Sequence, residues 1–162
     1  MSLQVRRATP DDLSGVCEVF LGCWRESYRG ILPDHAIAAM TDERAETLWR
    51  RVLASPEGVV LVAERDGELL GITRYAVTGT MGAVHSLYVA PRAHGGGIGK
   101  ALLEAASDAL REAGTTAARL WVFAANDPSI AFYTARGWIP DGETRIQDEF
   151  GELEQRMRRE WI

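Results

Sequence analysis

The stretch that decides the fold runs Leu87-Tyr88-Val89-Ala90-Pro91-Arg92-Ala93-His94-Gly95-Gly96-Gly97-Ile98-Gly99-Lys100. An apolar, strand-like run from Ala83 to Ala90 is stopped by Pro91, and a glycine-rich loop follows. Beyond the loop Ile98, Leu102, Ala105, Ala106, Ala109 and Leu110 recur at helical spacing, and Gly114 is placed to end the helix. A strand–loop–helix of this kind gathers successive backbone N–H groups at the positive end of a helix dipole, which makes an anion-binding concavity. Glycine lets the backbone approach a phosphate with no Cβ in between. A turn from strand to helix needs one or two glycines for its geometry alone. Gly95, Gly96, Gly97 and Gly99 exceed that need, so the loop reads as a phosphate cradle.

Working outward, residues 3–8 alternate as a first strand, and Thr9-Pro10-Asp11-Asp12 starts a helix running to about Trp24. A loop at 28–33 and short helical turns precede a second helix capped by Thr41-Asp42-Glu43. Residues 59–65 and 68–77 are rich in Val, Leu and Ile, and Asp66-Gly67 between them is a strong hairpin signal. On the C-terminal side, 119–124 reads as a buried strand, 129–136 as a short helix and Gly137-Trp138-Ile139 as a strand start. Residues 152–158 alternate as an edge-facing strand would. The order β-α-α-β-β-β-α-β-α-β-β predicts one α/β domain over 1–162. Its sheet is mixed and mostly antiparallel, with a strand–helix–strand crossover supplying a parallel pair.

The chain has 162 residues, 46% of them hydrophobic and 25% charged, enough for one core. No apolar run approaches the roughly 20 residues needed to cross a bilayer. The start, MSLQVRRAT, lacks an apolar signal region, so a cytoplasmic location is expected. Cys17 and Cys23 form neither a metal-like set nor a disulfide framework. A net charge of −5 argues against a nucleic-acid coat and against a polybasic membrane binder.

Two familiar phosphate motifs fail. A Walker loop needs glycine at 94 and Ser/Thr at 101, where His94 and Ala101 stand. A dinucleotide fingerprint needs glycine at 100 or 102, where Lys100 and Leu102 stand. The run Leu87-Tyr88-Val89-Ala90-Pro91 followed by His94-Gly95-Gly96-Gly97-Ile98-Gly99 instead resembles the acetyl-CoA signature of the GNAT acyltransferase superfamily, Q/R-x-x-G-x-G/A after a strand ending L-Y-V-x-P. Asn126, Ala131-Phe132-Tyr133 and Gly137-Trp138 resemble that family's second conserved block. The two blocks span about 87–138, and the element order extends the likeness over nearly the whole chain. Trp24 to Pro33 is similar to the W-x-x-x-Y-x-G-(I/L)-L-P stretch of one bacterial branch.

The resemblance implies a GNAT-like sheet with a splayed parallel pair around acetyl-CoA, used as co-substrate without a metal. It implies that the backbone of Leu87 and Val89, in the run with Tyr88, pairs with the pantetheine arm like an added strand. The amides of Gly95, Gly96, Gly97, Ile98, Gly99 and Lys100 would hold the pyrophosphate, and Asn126 would contact the arm. Lys100 and Arg92 are candidates to add charge. His94 departs from the usual Gln or Arg, which opens a mild pH dependence of coenzyme affinity.

Transfer of an acetyl group to an amine needs a neutral amine, a stabilised carbonyl oxygen and a protonated leaving thiolate. Tyr133 matches the tyrosine that lies beside the thioester sulfur as general acid, and the Val89 amide is the oxyanion donor this implies. The strand position that carries a base in many members is Ala83, which cannot serve. His85, two residues on, shares its strand face and has a suitable ordinary pKa near ~6.5. Glu64 and a relay of water are alternatives. Glu26, Tyr28 and Asp34 are candidates for the acceptor side, with Asp148 and Glu149 on a loop at 144–150; acids there would favour a cationic amine. The leading expectation is direct acetyl transfer to a primary amine of a small molecule or peptide in a ternary complex. An acyl-CoA-binding module without catalysis, or an O-acyltransferase, stays open. A homodimer is implied by family analogy alone.

Overall fold

In the computed structural model, residues 2–148 and 151–161 are described. Seven strands form one sheet: β1 (Gln4–Arg7), β2 (Val59–Arg65), β3 (Glu68–Thr78), β4 (Met81–Val89), β5 (Ala117–Phe123), β6 (Ile139–Gln147) and β7 (Glu152–Glu160), in the spatial order β1-β2-β3-β4-β5-β7-β6. Five α-helices accompany them: α1 (Leu13–Gly22), α2 (Asp34–Ala39), α3 (Asp42–Ala54), α4 (Ile98–Glu112) and α5 (Asp127–Thr134). The β2–β3 hairpin turns on Asp66 and Gly67, with φ of 55° and 78°, the left-handed pair that a tight two-residue turn demands. Thr41 caps α3 by accepting a hydrogen bond from Arg44 N–H at 3.2 Å. The mixed, mostly antiparallel sheet with one parallel pair is the architecture that the element order predicts.

Alternation along the strands, reset on β3 by a bulge at Leu70, sorts the core into two layers. Val62 and Ile72 face α1 and α3, packing with Val16, Val19, Phe20 and Trp49. Leu61, Ala63 and Leu70 face the other way, onto Ile98 and Leu102 of α4. Gly71 on β3 is where α4 comes closest: a Cβ there would lie 2.8 Å from Leu102 Cδ1 and 2.9 Å from Ile98 Cγ2. Farther along that face, Leu120, Val122, Trp138 and Met157 close a third cluster beneath α4 and α5.

One feature of the sheet positions the site. β4 and β5 are parallel, but their pairing runs only from Met81↔Ala117 to Val84↔Leu120. On the other side of β4 the register jumps from Tyr75↔Val84 to Arg74↔Ser86, so His85 is an extra residue on β4. A bulge bends and twists the strand that carries it. Beyond it β4 parts from β5, and the outward backbone of Leu87 and Val89 loses its neighbour.

Three local expectations need correction. The first long helix does not run on as an α-helix to Trp24: it ends at Gly22 and widens into a π turn over Cys23–Ser27, with Tyr28 N–H reaching Cys23 O at 3.2 Å. β7 is not an edge strand, because it lies between β5 and β6 and pairs with both. Residues 144–147 are the end of β6 rather than a loop, Asp148 follows in a turn, and Glu149 lies outside the described residues.

Candidate active site

Two adjoining cavities lie at the gap between β4 and β5. The larger, about 830 Å3, reaches from the π turn to the N-terminus of α4; among its lining residues are Leu87, Val89, His94, Gly95, Gly97, Ile98, Gly99 and Lys100. The smaller, about 250 Å3, lies over the β5–β7–β6 side and is lined by His85, Tyr88, Trp121, Arg145 and Glu154, among others. Tyr28, Leu87, Asn126, Ser129 and Tyr133 line both. These five residues mark the junction.

The backbone of the larger cleft is built to receive polar ligand groups. Ala90 N–H bonds to Leu70 O at 2.8 Å, so strand alternation turns the N–H and C=O of Val89 and Leu87 away from β3, toward the gap. At the helix end the first bond of helical type joins Ala101 N–H to Gly97 O at 3.0 Å. The N–H groups of Ile98, Gly99 and Lys100 therefore have no helical acceptor. Gly95 and Gly97 have φ of 83° and 79°, and a Cβ on either would meet nothing within 4 Å. The cradle is open space bordered by amides.

One side chain already touches the exposed backbone of Val89. His94 Nε2 lies 3.1 Å from Val89 O, where a ring N–H donates to the carbonyl. Cys23 also lines this cleft, and burial pushes its thiol pKa up. The sequence did not single out Cys23. The π turn, which no spacing announces, carries it there.

Tyr133 is 8% exposed, at the end of α5, with its ring edge-on to Phe132 and Trp138. Burial raises its pKa well above the ordinary value, with the Cys23 thiol adding to the rise, so the phenol keeps its proton at neutral pH. α5 is held by Asn126, whose Oδ1 accepts from Ser129 N–H at 3.2 Å. Tyr28 rests among Trp24, Tyr88 and Phe123, and burial raises its pKa likewise. His85 stands on the bulge, its pKa lowered first by desolvation and then by the charges of Arg74 and Arg145. It is neutral at pH 7 and faces the smaller cavity.

The remaining candidates fall as follows. Tyr88 buries its ring against Phe20 and Trp49 and lines the smaller cavity, while Gly96 borders neither. Glu26 lines the larger cleft instead of the smaller one, and Asp34 lines neither. Glu64 is tied to Arg6 at 2.9 Å, away from both cavities. Arg92 pairs with Glu68 at 2.7 Å and does not line the cleft, whereas Lys100 does. Sequence reasoning missed Glu154 and Arg145. Glu154, 8% exposed, accepts from Arg145 Nε at 2.8 Å inside the smaller cavity. Among the described residues no group of three or more His, Cys, Asp or Glu side chains is arranged to hold a metal ion.

Comparison with known proteins agrees with this arrangement. Residues 17–138 match the model of the acetyltransferase (GNAT) family. An uncharacterized N-acetyltransferase of Archaeoglobus fulgidus is 33% identical over 141 residues, covering 83% of this chain and 91% of that protein. A spermidine N(1)-acetyltransferase of Thermoplasma acidophilum is 26% identical over 143 residues, covering 85% of this chain and 89% of that protein. The crystal structure of the PaiA N-acetyltransferase of Thermoplasma acidophilum, in complex with coenzyme A, superposes with a TM-score of 0.79 over 99% of this chain and all of that one, at 23% identity. With the sheet order, the splayed strand pair and the glycine cradle already in place, these matches show that the chain belongs to the GNAT acetyltransferase family.

Proposed function

We propose that the protein is an acetyl-CoA-dependent N-acetyltransferase that moves the acetyl group directly to a primary amine, with both substrates bound at once. The observation that carries this reading is the junction of the two cavities at Tyr133 and Leu87. A thioester entering along the larger cleft and an amine entering from the smaller one meet beside a protonated phenol. The residues of the larger cleft suit acetyl-CoA, which brings an activated acyl group. The amides from Gly95 to Lys100 offer donors for a diphosphate, and the outward Leu87 and Val89 backbone offers strand-like pairing for an amide-bearing arm. Pairing at Val89 requires the His94 ring to leave the carbonyl it now holds.

Each chemical demand then falls to a residue of this chain. Val89 N–H faces the gap and donates to the carbonyl oxygen as negative charge builds there. His85, neutral and in the acceptor cavity, takes the proton that the amine sheds on attack, directly or through water. Tyr133 gives its proton to the departing sulfur. Asn126 fixes the start of α5 and hence the place of Tyr133.

Release of free thiol from acetyl-CoA, followed over a panel of amines, aminoglycosides and peptide N-termini with product masses, tests the reading. Acetylated amine is the expected product. Micromolar coenzyme binding with no turnover would replace it with a regulatory acyl-CoA-binding module, for which the alanine at position 83 would be the sequence correlate. An acetyl ester as product would make the enzyme an O-acyltransferase.

A further inference from the structure

The smaller cavity carries a charge arrangement that narrows the acceptor. Among the described residues lining it, Glu154 is the one acid and Arg145 the one arginine. Glu154 lies on β7 opposite Phe123 of β5 and Arg145 of β6. Its carboxylate accepts one hydrogen bond, from Arg145 Nε at 2.8 Å, and no other among the described residues. Arg145 keeps 51% of its side chain exposed and spreads its guanidinium over Trp121, 4.2 Å from the ring centroid. Phe20, Trp24, Tyr88 and Phe123 supply apolar wall. Other charges nearby lean positive: Arg74 of β3 acts with Arg145 on His85, and Arg156 on β7 is paired with Asp141 at 2.6 Å.

We propose that the acceptor is a zwitterion of amino-acid size, which docks its ammonium on Glu154 until that group gives up a proton to His85 or water and attacks, and whose carboxylate is held by Arg145. The inference rests on the amine-acetyltransferase reading and goes beyond it by naming the substrate class. An ammonium that takes the other oxygen of Glu154 shares the carboxylate with Arg145. With a simple amine or polyamine, two cations then depend on one anion. An α-amino acid brings a carboxylate of its own for the guanidinium, so each cation has an anion. Arginine matches a carboxylate with two parallel N–H groups, and stacking on Trp121 keeps its plane fixed as it turns. A cavity of about 250 Å3 suits a compound of this size and not a folded protein surface.

The test is kcat/KM at saturating acetyl-CoA for phenylalanine, leucine, histidine and tyrosine, each against the amine lacking its carboxylate, with spermidine alongside. At least one amino acid is expected to exceed its amine by about 10- to 100-fold, mainly through KM, the range expected when one charged hydrogen-bond partner is lost. Arg145→Gln brings that ratio to about 1, and Arg145→Lys restores part of it. Glu154→Gln raises KM for amino acid and amine alike. Coenzyme A binding, measured on each variant, shows that it is folded. Phenethylamine or spermidine turned over as well as or better than every amino acid would overturn the proposal and leave N-acetyl transfer standing. Failure of every amine with acetyl-CoA bound would remove both.

Discussion

Gly97 and Gly67 allow the phosphate cradle to be tested against a control of the same backbone geometry. Their φ angles are 79° and 78°, and a Cβ on either would meet nothing within 4 Å. A left-handed conformation costs a non-glycine residue ~1–2 kcal/mol. Gly97→Ala and Gly67→Ala should therefore lose the same stability, which in a domain of this size is a fall in Tm of about 2–8 °C. They should part on ligand binding. Gly97 caps α4 and lines the larger cleft, whereas Gly67 sits in the β2–β3 hairpin away from it. A methyl group at 97 takes the space proposed for the diphosphate, and an isopropyl group takes more. Calorimetric titration with coenzyme A is expected to show Kd raised at least about 10-fold in Gly97→Ala, no measurable binding in Gly97→Val, and an unchanged Kd in Gly67→Ala. Thermal melts without ligand supply the matched stability loss. A Gly97→Val protein that is folded and binds coenzyme A within twofold of the wild type would refute the cradle, as would an equal loss of binding in Gly67→Ala.

Tyr133→Phe keeps the ring packing against Phe132 and Trp138 and removes the hydroxyl alone. It should lower kcat about 100-fold or more with less than a twofold change in coenzyme Kd, and equal activity would take Tyr133 out of the chemistry. The pH profile follows from two opposite shifts. His85 must be neutral to accept a proton and its pKa is lowered, so kcat falls only below pH 6.5 as that group protonates; Tyr133 must be protonated and its pKa is raised, so no alkaline loss appears before pH 10. An acid limb centred above pH 6.5, or one that persists in His85→Gln, would exclude His85 as base. His94→Ala frees the Val89 carbonyl and should tighten coenzyme A binding about 2- to 10-fold, read by the same titration; weaker binding would mean that the ring contacts the coenzyme.

The larger cleft was legible in the sequence because its parts are local. Pro91 ends a strand, the glycines follow within a few residues, and the helical apolar period begins at Ile98, so one short window contains the cradle and its orientation. Asn126 and Tyr133 are similarly close along the chain, on one short helix whose cap is Asn126 itself. The bulge at His85 is different. It comes from a mismatch of register between β3 and β4, which no residue of β4 specifies alone.

The smaller cavity is less legible, for a physical reason that the C-terminal strand makes plain. From Glu152 to Arg158 the apolar Leu153 and Met157 alternate with charged residues, a pattern that ordinarily puts one face inward and the other in solvent. That rule presumes one burial state along each face of a strand. Here Leu153 and Met157 share a face, yet Met157 is fully buried in the cluster beneath α4 and α5, while Leu153 is 47% exposed. On the opposite face Glu154 is buried, because β7 lies between β5 and β6 and that part of the sheet forms the floor of the smaller cavity. The inversion becomes visible only once the strand order is known. The order depends on pairings with β5, about 35 residues earlier in the chain, which periodicity cannot supply. A buried carboxylate paired to an arginine on a polar-looking strand is therefore what a functional cavity leaves behind where local reading predicts plain surface. The same physics explains why the proposed coenzyme cleft, built from consecutive amides, is readable from sequence, while the proposed acceptor cavity, built from side chains of separate strands, is not.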